Sequence, residues 1–268
     1  MPHDESLFAG AAPYYARYRA PYPAQLIADL VAHYELDGTG RLLDLGCGPG
    51  TLTLPLAPYF ASVLALDVNA EMIDEGRRIA ASFNEFRKRR IEWCVMPAEE
   101  ISPALGTFRL VTCGSSFHWM DRDLVLARVR ELLEPDCGIA LAAGTSGWWD
   151  GPADWQQALT RVVRKYLGEW WRAGRSGLAR YMATGERFEH ALARNGWRVE
   201  LNRDYPVTLE RDIDSLIGHL WSTSFAARPH FGERVDEFEA ELRTELSRLH
   251  PDGRFVETGE FGLVCGRP

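Results

Sequence analysis

The segment LLDLGCGPGTLTLPLA, residues 42–57, places an acid, Asp44, ahead of three glycines, Gly46, Gly48 and Gly50. Glycines at this spacing let a turn tighten and let the backbone approach a ligand closely. About twenty residues further on, a second apolar run ends in Asp67, the place where an acid can grip ribose hydroxyls. A dinucleotide fingerprint spaces its glycines G-x-G-x-x-G, whereas this loop reads G-x-G-x-G. Phosphates want bare backbone N–H groups at a helix N-terminus, and an acid in the lead-in is poorly placed for a pyrophosphate. Asp44 suits a cationic ligand instead, such as the amino acid moiety of a sulfonium cofactor. The plainer alternative is a tight turn joining strand to helix, and the paired acid at the right distance argues against it.

A second constellation is GSSFHWMDR, residues 114–122. His118 follows a short apolar run, and a neutral imidazole there could take a proton from a hydroxyl or amine. Equally, it could orient a substrate by hydrogen bonding or shield a reactive centre from water. Trp119 reads as pocket wall or as packing. Asp121 and Arg122 read as the start of the next helix. Trp148 and Trp149 follow another apolar run and are expected in a pocket wall. His33, His190, His219 and His250 are isolated on expected helices or helix ends, though the segment HLWSTSF, residues 219–225, could enter the substrate pocket and bring Trp221 into it.

The elements that position these groups alternate. Short apolar runs at 41–45, 62–68, 91–96, 108–114 and 137–143 read as strands, and 22–34, 70–83 and 124–135 as helices. Such alternation implies right-handed crossovers and a mostly parallel sheet, with ligands bound beyond the carboxyl ends of the strands. After residue 143 the rhythm breaks. Residues 146–195 are tryptophan-rich, with helical character in the middle, and read as a cap. Residues 196–209 and 253–268 read as strands, and 212–226 and 232–249 as helices, completing the core sheet. The fold class expected is α/β: a Rossmann-like, seven-stranded, mostly parallel sheet with helices on both faces and a helical cap insertion.

Composition narrows the function. The chain has 268 residues, of which 46% are hydrophobic and 25% charged, so a globular core is expected. The formal net charge of −8 argues against a general nucleic-acid binder, and the one dense basic cluster, residues 87–90, reads as a helix end. No apolar run is long enough to span a bilayer, and the N-terminus does not read as a secretory signal. Five single cysteines without ligand spacing read as reduced, buried thiols of a cytoplasmic protein, and no metal site is expected.

DLGCGPG at 44–50, LALDVNAEMI at 64–73, MPAEEI at 96–101, FHW at 117–119 and YYARYRAPYP at 14–23 together resemble the class I S-adenosylmethionine-dependent methyltransferases. The resemblance is to the small-molecule branch called methyltransferase type 11, which includes trans-aconitate-type enzymes. It implies that Gly46, Gly48 and Gly50 line the methionine part of S-adenosylmethionine, with Asp44 near its ammonium. It implies Asp67 on the ribose, Val68 and Met72 flanking the adenine, and Ala98 with Glu99 at the adenine's amino edge. Ser115 joins this set. The N-terminal segment folds over the cofactor in that family, so Tyr14 and Tyr18 would close the site and Arg19 would pair with a carboxylate of cofactor or substrate. Met72 could instead be core, and Glu99 could owe its place to a helix dipole. The activity implied is O- or N-methylation of a small molecule such as a secondary metabolite, leaving S-adenosylhomocysteine. Two alternatives stand beside it: a protein of this fold that binds the cofactor without transfer, and a nucleic-acid or protein methyltransferase. The segment CGSSFHW lacks the Asn/Asp-Pro-Pro-aromatic pattern of enzymes that methylate base amino groups. The small-molecule reading leaves no nucleic-acid or membrane partner.

Overall fold

The computed structural model describes residues 8–84, 90–145, 151–168 and 186–268. Trp148, Trp149 and residues 87–89 of the basic cluster lie outside them.

Seven strands make one sheet: β1 (Arg41–Leu45), β2 (Ser62–Asp67), β3 (Arg90–Val95), β4 (Phe108–Gly114), β5 (Leu133–Thr145), β6 (Arg198–Arg211) and β7 (Phe255–Arg267). Their order is β3-β2-β1-β4-β5-β7-β6. The first five are parallel, and β7 runs antiparallel between β5 and β6. β1 reads RLLDL with four of five residues buried, the continuous apolar run of a strand covered on both faces. The strand order reverses between β1 and β4, where the ends of both strands open a crevice.

Helices α1 (Ala12–Tyr18), α2 (Ala24–His33), α3 (Thr53–Leu56), α4 (Ala70–Ser82), α5 (Arg122–Leu132), α6 (Asp154–Leu167), α7 (Phe188–Arg194), α8 (Ile213–Trp221) and α9 (Val235–Leu249) complete the described elements. Asn69 caps α4 by accepting from the Met72 N–H at 3.1 Å, and Asp121 caps α5 through Leu124 at 3.2 Å. Each such cap is worth about 1 kcal/mol. One core cluster packs α5 and α7 on one face of the sheet, with Phe108, Phe117 and Leu141 buried. A second packs α2 and α3 on the other, around Leu26, Leu42 and Phe60.

Two expectations change. The helix read as 124–135 ends at Leu132, and β5 begins at Leu133, four residues earlier than its apolar run. Asp136 takes the left-handed conformation at φ 60°, and the pairing with β4 shifts register between Phe108 and Leu110. The irregularity lets Pro135 sit in a strand. The helices expected to complete the sheet after residue 196 do something else as well. α8 and α9 share a separate cluster with α6, built on Trp155, Leu220, Trp221, Phe238 and Phe255.

Candidate active site

The glycine loop leaves β1 at the switch point, and the acid ending β2 reaches it. Asp67 Oδ2 accepts the Gly48 N–H at 2.8 Å, and Oδ1 accepts the Asn69 N–H at 2.9 Å. Burial pushes the Asp67 carboxyl up, and the N–H groups of Asn69, Gly48 and Val68 pull it back. Gly48 takes φ +55°, and a Cβ added there would meet only Tyr15 Cε1 at 4.0 Å. The loop therefore shows bare backbone to a space roofed by an aromatic ring. Gly46 is held differently: at φ +63°, its Cβ would lie 2.5 Å from Ser116 Cβ, while the Ser116 hydroxyl donates to the Leu45 carbonyl at 2.6 Å. Gly50 packs against Trp93, whose Cη2 would be 2.7 Å from an added Cβ.

Asp44 is not where the sequence puts it. Its residue is 0% exposed, and its two oxygens accept hydroxyl protons from Thr53 at 2.5 Å and Thr112 at 2.8 Å. A ligand's ammonium cannot touch it in this arrangement. Burial lifts its pKa to about 6, against the opposing pull of the two threonines. The acid braces the loop from beneath, tying β1, β4 and the start of α3.

Of the three N-terminal residues expected at the site, Arg19 lines the cavity and Tyr14 and Tyr18 do not. Tyr14 and Tyr18 stack on each other with ring centroids 6.4 Å apart, and Tyr18 lies over Gly218 of α8. Tyr15 and Arg19, one residue further along, line the cavity, with the Arg19 guanidinium 4.9 Å from the Tyr15 ring centre. Tyr22, Thr51, Ser115, Phe261, His219 and Glu257 line it too. Ser115 is left-handed at φ 53°, its N–H bonded to the Ala142 carbonyl at 2.7 Å and its hydroxyl 3.4 Å from the Tyr22 hydroxyl. A non-glycine residue in that conformation costs about 1 kcal/mol or more, which suits a turn that must aim its side chain.

Val68 is half-buried, and Met72 is buried against Ala11, Ala12 and Ala227. Ala98 belongs to the core. Glu99 Oε1 accepts the Asp121 N–H at 2.8 Å, so this acid fastens the turn that leads into α5. His118 is half-buried in the 3₁₀ turn Phe117–Trp119, its ring 4.9 Å from that of Trp119. Burial, then the Arg122 and Arg19 charges, lower its pKa to about 4. Trp119 meets Phe8 edge-on at 6.2 Å. Trp221 is 3% exposed and packs on Phe231 and Phe238, so it is core of the α6–α8–α9 cluster rather than pocket wall.

Residues the sequence did not single out close the far end of the cavity. Arg211, at the end of β6, donates from Nε to Glu257 at 2.8 Å, from Nη1 to the Tyr18 carbonyl at 2.9 Å, and from Nη2 to His219 Nδ1 at 3.1 Å. The Arg211–Glu257 pair is buried, at 9% and 6% side-chain exposure. The two residues are 46 positions apart, so no local pattern announces them. Among the described residues no group of three or more His, Cys, Asp or Glu side chains could hold a metal ion, and no helix is long and apolar enough to cross a membrane.

Comparison with known proteins agrees with this geometry. Residues 42–136 match the family model described as a methyltransferase domain. The chain is 24% identical over 243 residues to a trans-aconitate 2-methyltransferase of Methylobacterium nodulans, covering 85% of this chain and 87% of that one. It is 26% identical over 155 residues to an uncharacterized methyltransferase of Schizosaccharomyces pombe, covering 58% and 57%. The chain spans about half the length of the first curated relatives it matches, 44%, 57% and 49% of them. Its fold is that of an S-adenosylmethionine-dependent methyltransferase from Geobacter sulfurreducens, solved with S-adenosyl-L-homocysteine: TM-score 0.52, 14% identity, 100% of this chain and 98% of that one. A counterpart from Thiobacillus denitrificans gives 0.51 at 15% identity, covering 100% and 99%. With the seven-stranded sheet, the glycine loop and the acid that clasps it, these matches lead to one conclusion: residues 42–136 are a methyltransferase domain, set in a chain with the fold of the S-adenosylmethionine-dependent methyltransferases.

Proposed function

We propose that this protein transfers a methyl group from S-adenosylmethionine to oxygen or nitrogen of a small-molecule acceptor. The observation that carries the reading is the cradle formed by Asp67 and Gly48 beneath Tyr15. Among the described residues the carboxylate oxygens of Asp67 take only backbone N–H groups, so each keeps a lone pair for a ribose hydroxyl. The open left-handed Gly48 lets a methionine chain lie against bare backbone. Val68 and Met72 would flank the adenine, and Ser115 would face the sulfonium end. The residues present fit the cofactor.

The cofactor supplies a methyl group on a cationic sulfur, whose departure as a neutral thioether needs no acid. The chain's part is to hold the acceptor within about 3–3.5 Å of that carbon, in line with the breaking bond, and to keep water out. Tyr15, Tyr22 and Phe261 supply an apolar wall for both tasks. Burial and the Arg122 and Arg19 charges, which lower the His118 pKa to about 4, weigh against a base role for it. A carboxylate or phenolate acceptor would arrive already nucleophilic and would need no base. Expected locations are the cytoplasm and a pathway of small-molecule metabolism.

The test is calorimetric titration with S-adenosylhomocysteine, then methyl transfer from labelled S-adenosylmethionine to a panel of small acids, phenols and amines. Absence of S-adenosylhomocysteine binding would sink the reading.

A further inference from the structure

Helix α1 carries Tyr15 over the open face of Gly48, yet little in the helix itself keeps it there. It is 7 residues long and begins on Ala11, which has no polar side chain to cap it. A helix that short does not persist in water unless other elements fix it. Two anchors do so. At its start, Glu71 of α4 accepts the Gly10 N–H at 2.7 Å, and Ala11 and Ala12 pack with Met72. At its end, the Tyr18 carbonyl, one of those a helix leaves without an internal partner, accepts from Arg211 Nη1 at 2.9 Å. The Tyr18 ring lies on Gly218 of α8, where an added Cβ would run into it. The first anchor stands beside the cofactor cradle and the second belongs to the C-terminal half. Tyr15 lies between them.

Stability alone does not account for Arg211. It is buried with Glu257, and a buried ion pair is often no more stabilising than apolar side chains of the same volume. What the pair adds is direction. The planar guanidinium points three ways at once: Nε to Glu257 at 2.8 Å, Nη1 to the Tyr18 carbonyl, and Nη2 to His219 Nδ1 at 3.1 Å. Glu257 holds this fork still, because the pairing of β6 with β7 sets it opposite Leu209, two residues from Arg211. A cation at the C-terminal end of a helix is favoured by the helix dipole as well. Glu257 and His219 line the cavity with Tyr15, and Arg211 stands behind them.

We propose that Arg211 is a positioning residue: braced by Glu257, its guanidinium ties the C-terminal end of α1 to β6 and so sets Tyr15 over Gly48. A molecule held between Gly48 and Tyr15 leaves faster when the tie is cut. That this molecule is the cofactor rests on the methyltransferase reading above; the tie itself rests on Arg211, Glu257, Tyr18 and Gly218.

The experiment places fluorine on the ring of Tyr15 in the full chain and, in a second sample, on the ring of Tyr59, in the turn before β2, as a control. Without ligand, the Tyr15 label of the wild type should give one ¹⁹F line well away from its position in urea. Arg211→Met should broaden that line or move it at least halfway to the urea position, with the Tyr59 line unchanged. Arg211→Lys keeps the charge without the fork and should restore less than half of the shift. Because Arg211→Met strands the Glu257 carboxylate, the double variant Arg211→Met/Glu257→Leu supplies an apolar pair instead. It should recover the melting temperature and leave the Tyr15 line displaced, which a merely structural role would not do. Gly218→Ala pushes on the Tyr18 ring without touching the ion pair and should displace the line in the same way. S-adenosylhomocysteine should dissociate at least tenfold faster from both of these variants. A wild-type Tyr15 line in the double variant overturns the proposal, as does dissociation within twofold of the wild type from both. Should the double variant not fold, a wild-type line in Gly218→Ala overturns it equally. If S-adenosylhomocysteine fails to bind the wild type, the methyltransferase reading falls and the fluorine lines alone decide the tie.

Discussion

Asp67 accepts the Gly48 N–H at 2.8 Å, which makes the acid ending β2 and the loop leaving β1 one mechanical unit. Asp67→Ala should then fail twice. S-adenosylhomocysteine affinity should fall at least tenfold, about 1.4 kcal/mol or more, for want of the ribose partner. Stability should also fall by about 1–2 kcal/mol, because the Gly48 and Asn69 N–H groups lose their acceptor. Calorimetry and urea denaturation read the two separately. Unchanged affinity with lowered stability would leave Asp67 as a loop clasp alone.

Asp44 gives a pH signature with a definite sign. Its folded pKa, about 6, stands above the ordinary 3.8, so its charge is disfavoured in the fold. The cost is fully present above pH 6 and fades as pH falls toward 4. Asp44→Asn removes it and keeps one oxygen for a threonine hydroxyl. The variant's gain over the wild type should be largest at about pH 7.5, at most about 3 kcal/mol less the price of the weakened hydrogen bond, and should shrink through pH 6 to 4. Urea midpoints at several pH values test this; a difference that stays flat with pH would refute it.

Gly76 in α4 lies under Trp93, whose Cζ3 would sit 2.5 Å from an added Cβ. Alanine is the better helix former by about 1 kcal/mol. Overpacking a ring that is 8% exposed costs about 1–3 kcal/mol and should win. We expect Gly76→Ala to lower the melting temperature by several degrees and Trp93→Leu to relieve that penalty in the double variant. Additive losses would mean the ring moves aside.

With a pKa of about 4, His118 stays neutral across the physiological range. His118→Ala should keep turnover within about tenfold of the wild type. The wild-type rate should show no inflection near the ordinary histidine value of about 6.5. Loss of more than a thousandfold with cofactor affinity intact would restore the base role.

The parallel half of the sheet was legible because buried strands announce themselves. RLLDL, SVLALD and FRLVTCG are short apolar runs, and the structure places β1, β2 and β4 on them. The glycine loop was legible because its constraint is local. What failed was orientation. The stretch YYARYR shows that a helix forms and includes Arg19, yet its aromatic residues surround the axis, so which tyrosine joins Arg19 at the cavity, Tyr15 rather than Tyr14 or Tyr18, depends on α8. IDSLIGHLW is apolar on several faces, and only α6 and α9 decide that Trp221 goes inward while His219 meets the cavity. Arg211 and Glu257 could not be read at all, since their partnership is made by the register of β6 on β7.

That register has a meaning for synthesis. β6 pairs only with β7, and β5 keeps an open side until β7 fills it. Both strands leave the ribosome before their shared partner does, with α8 and α9 intervening. For that interval the nascent chain shows two unsatisfied ribbons, a hazard for association with other chains. β6 reads RVELNRDYPVTLER, dense in charge and broken by Pro206, a composition that repels a foreign strand while the proper one is still being made.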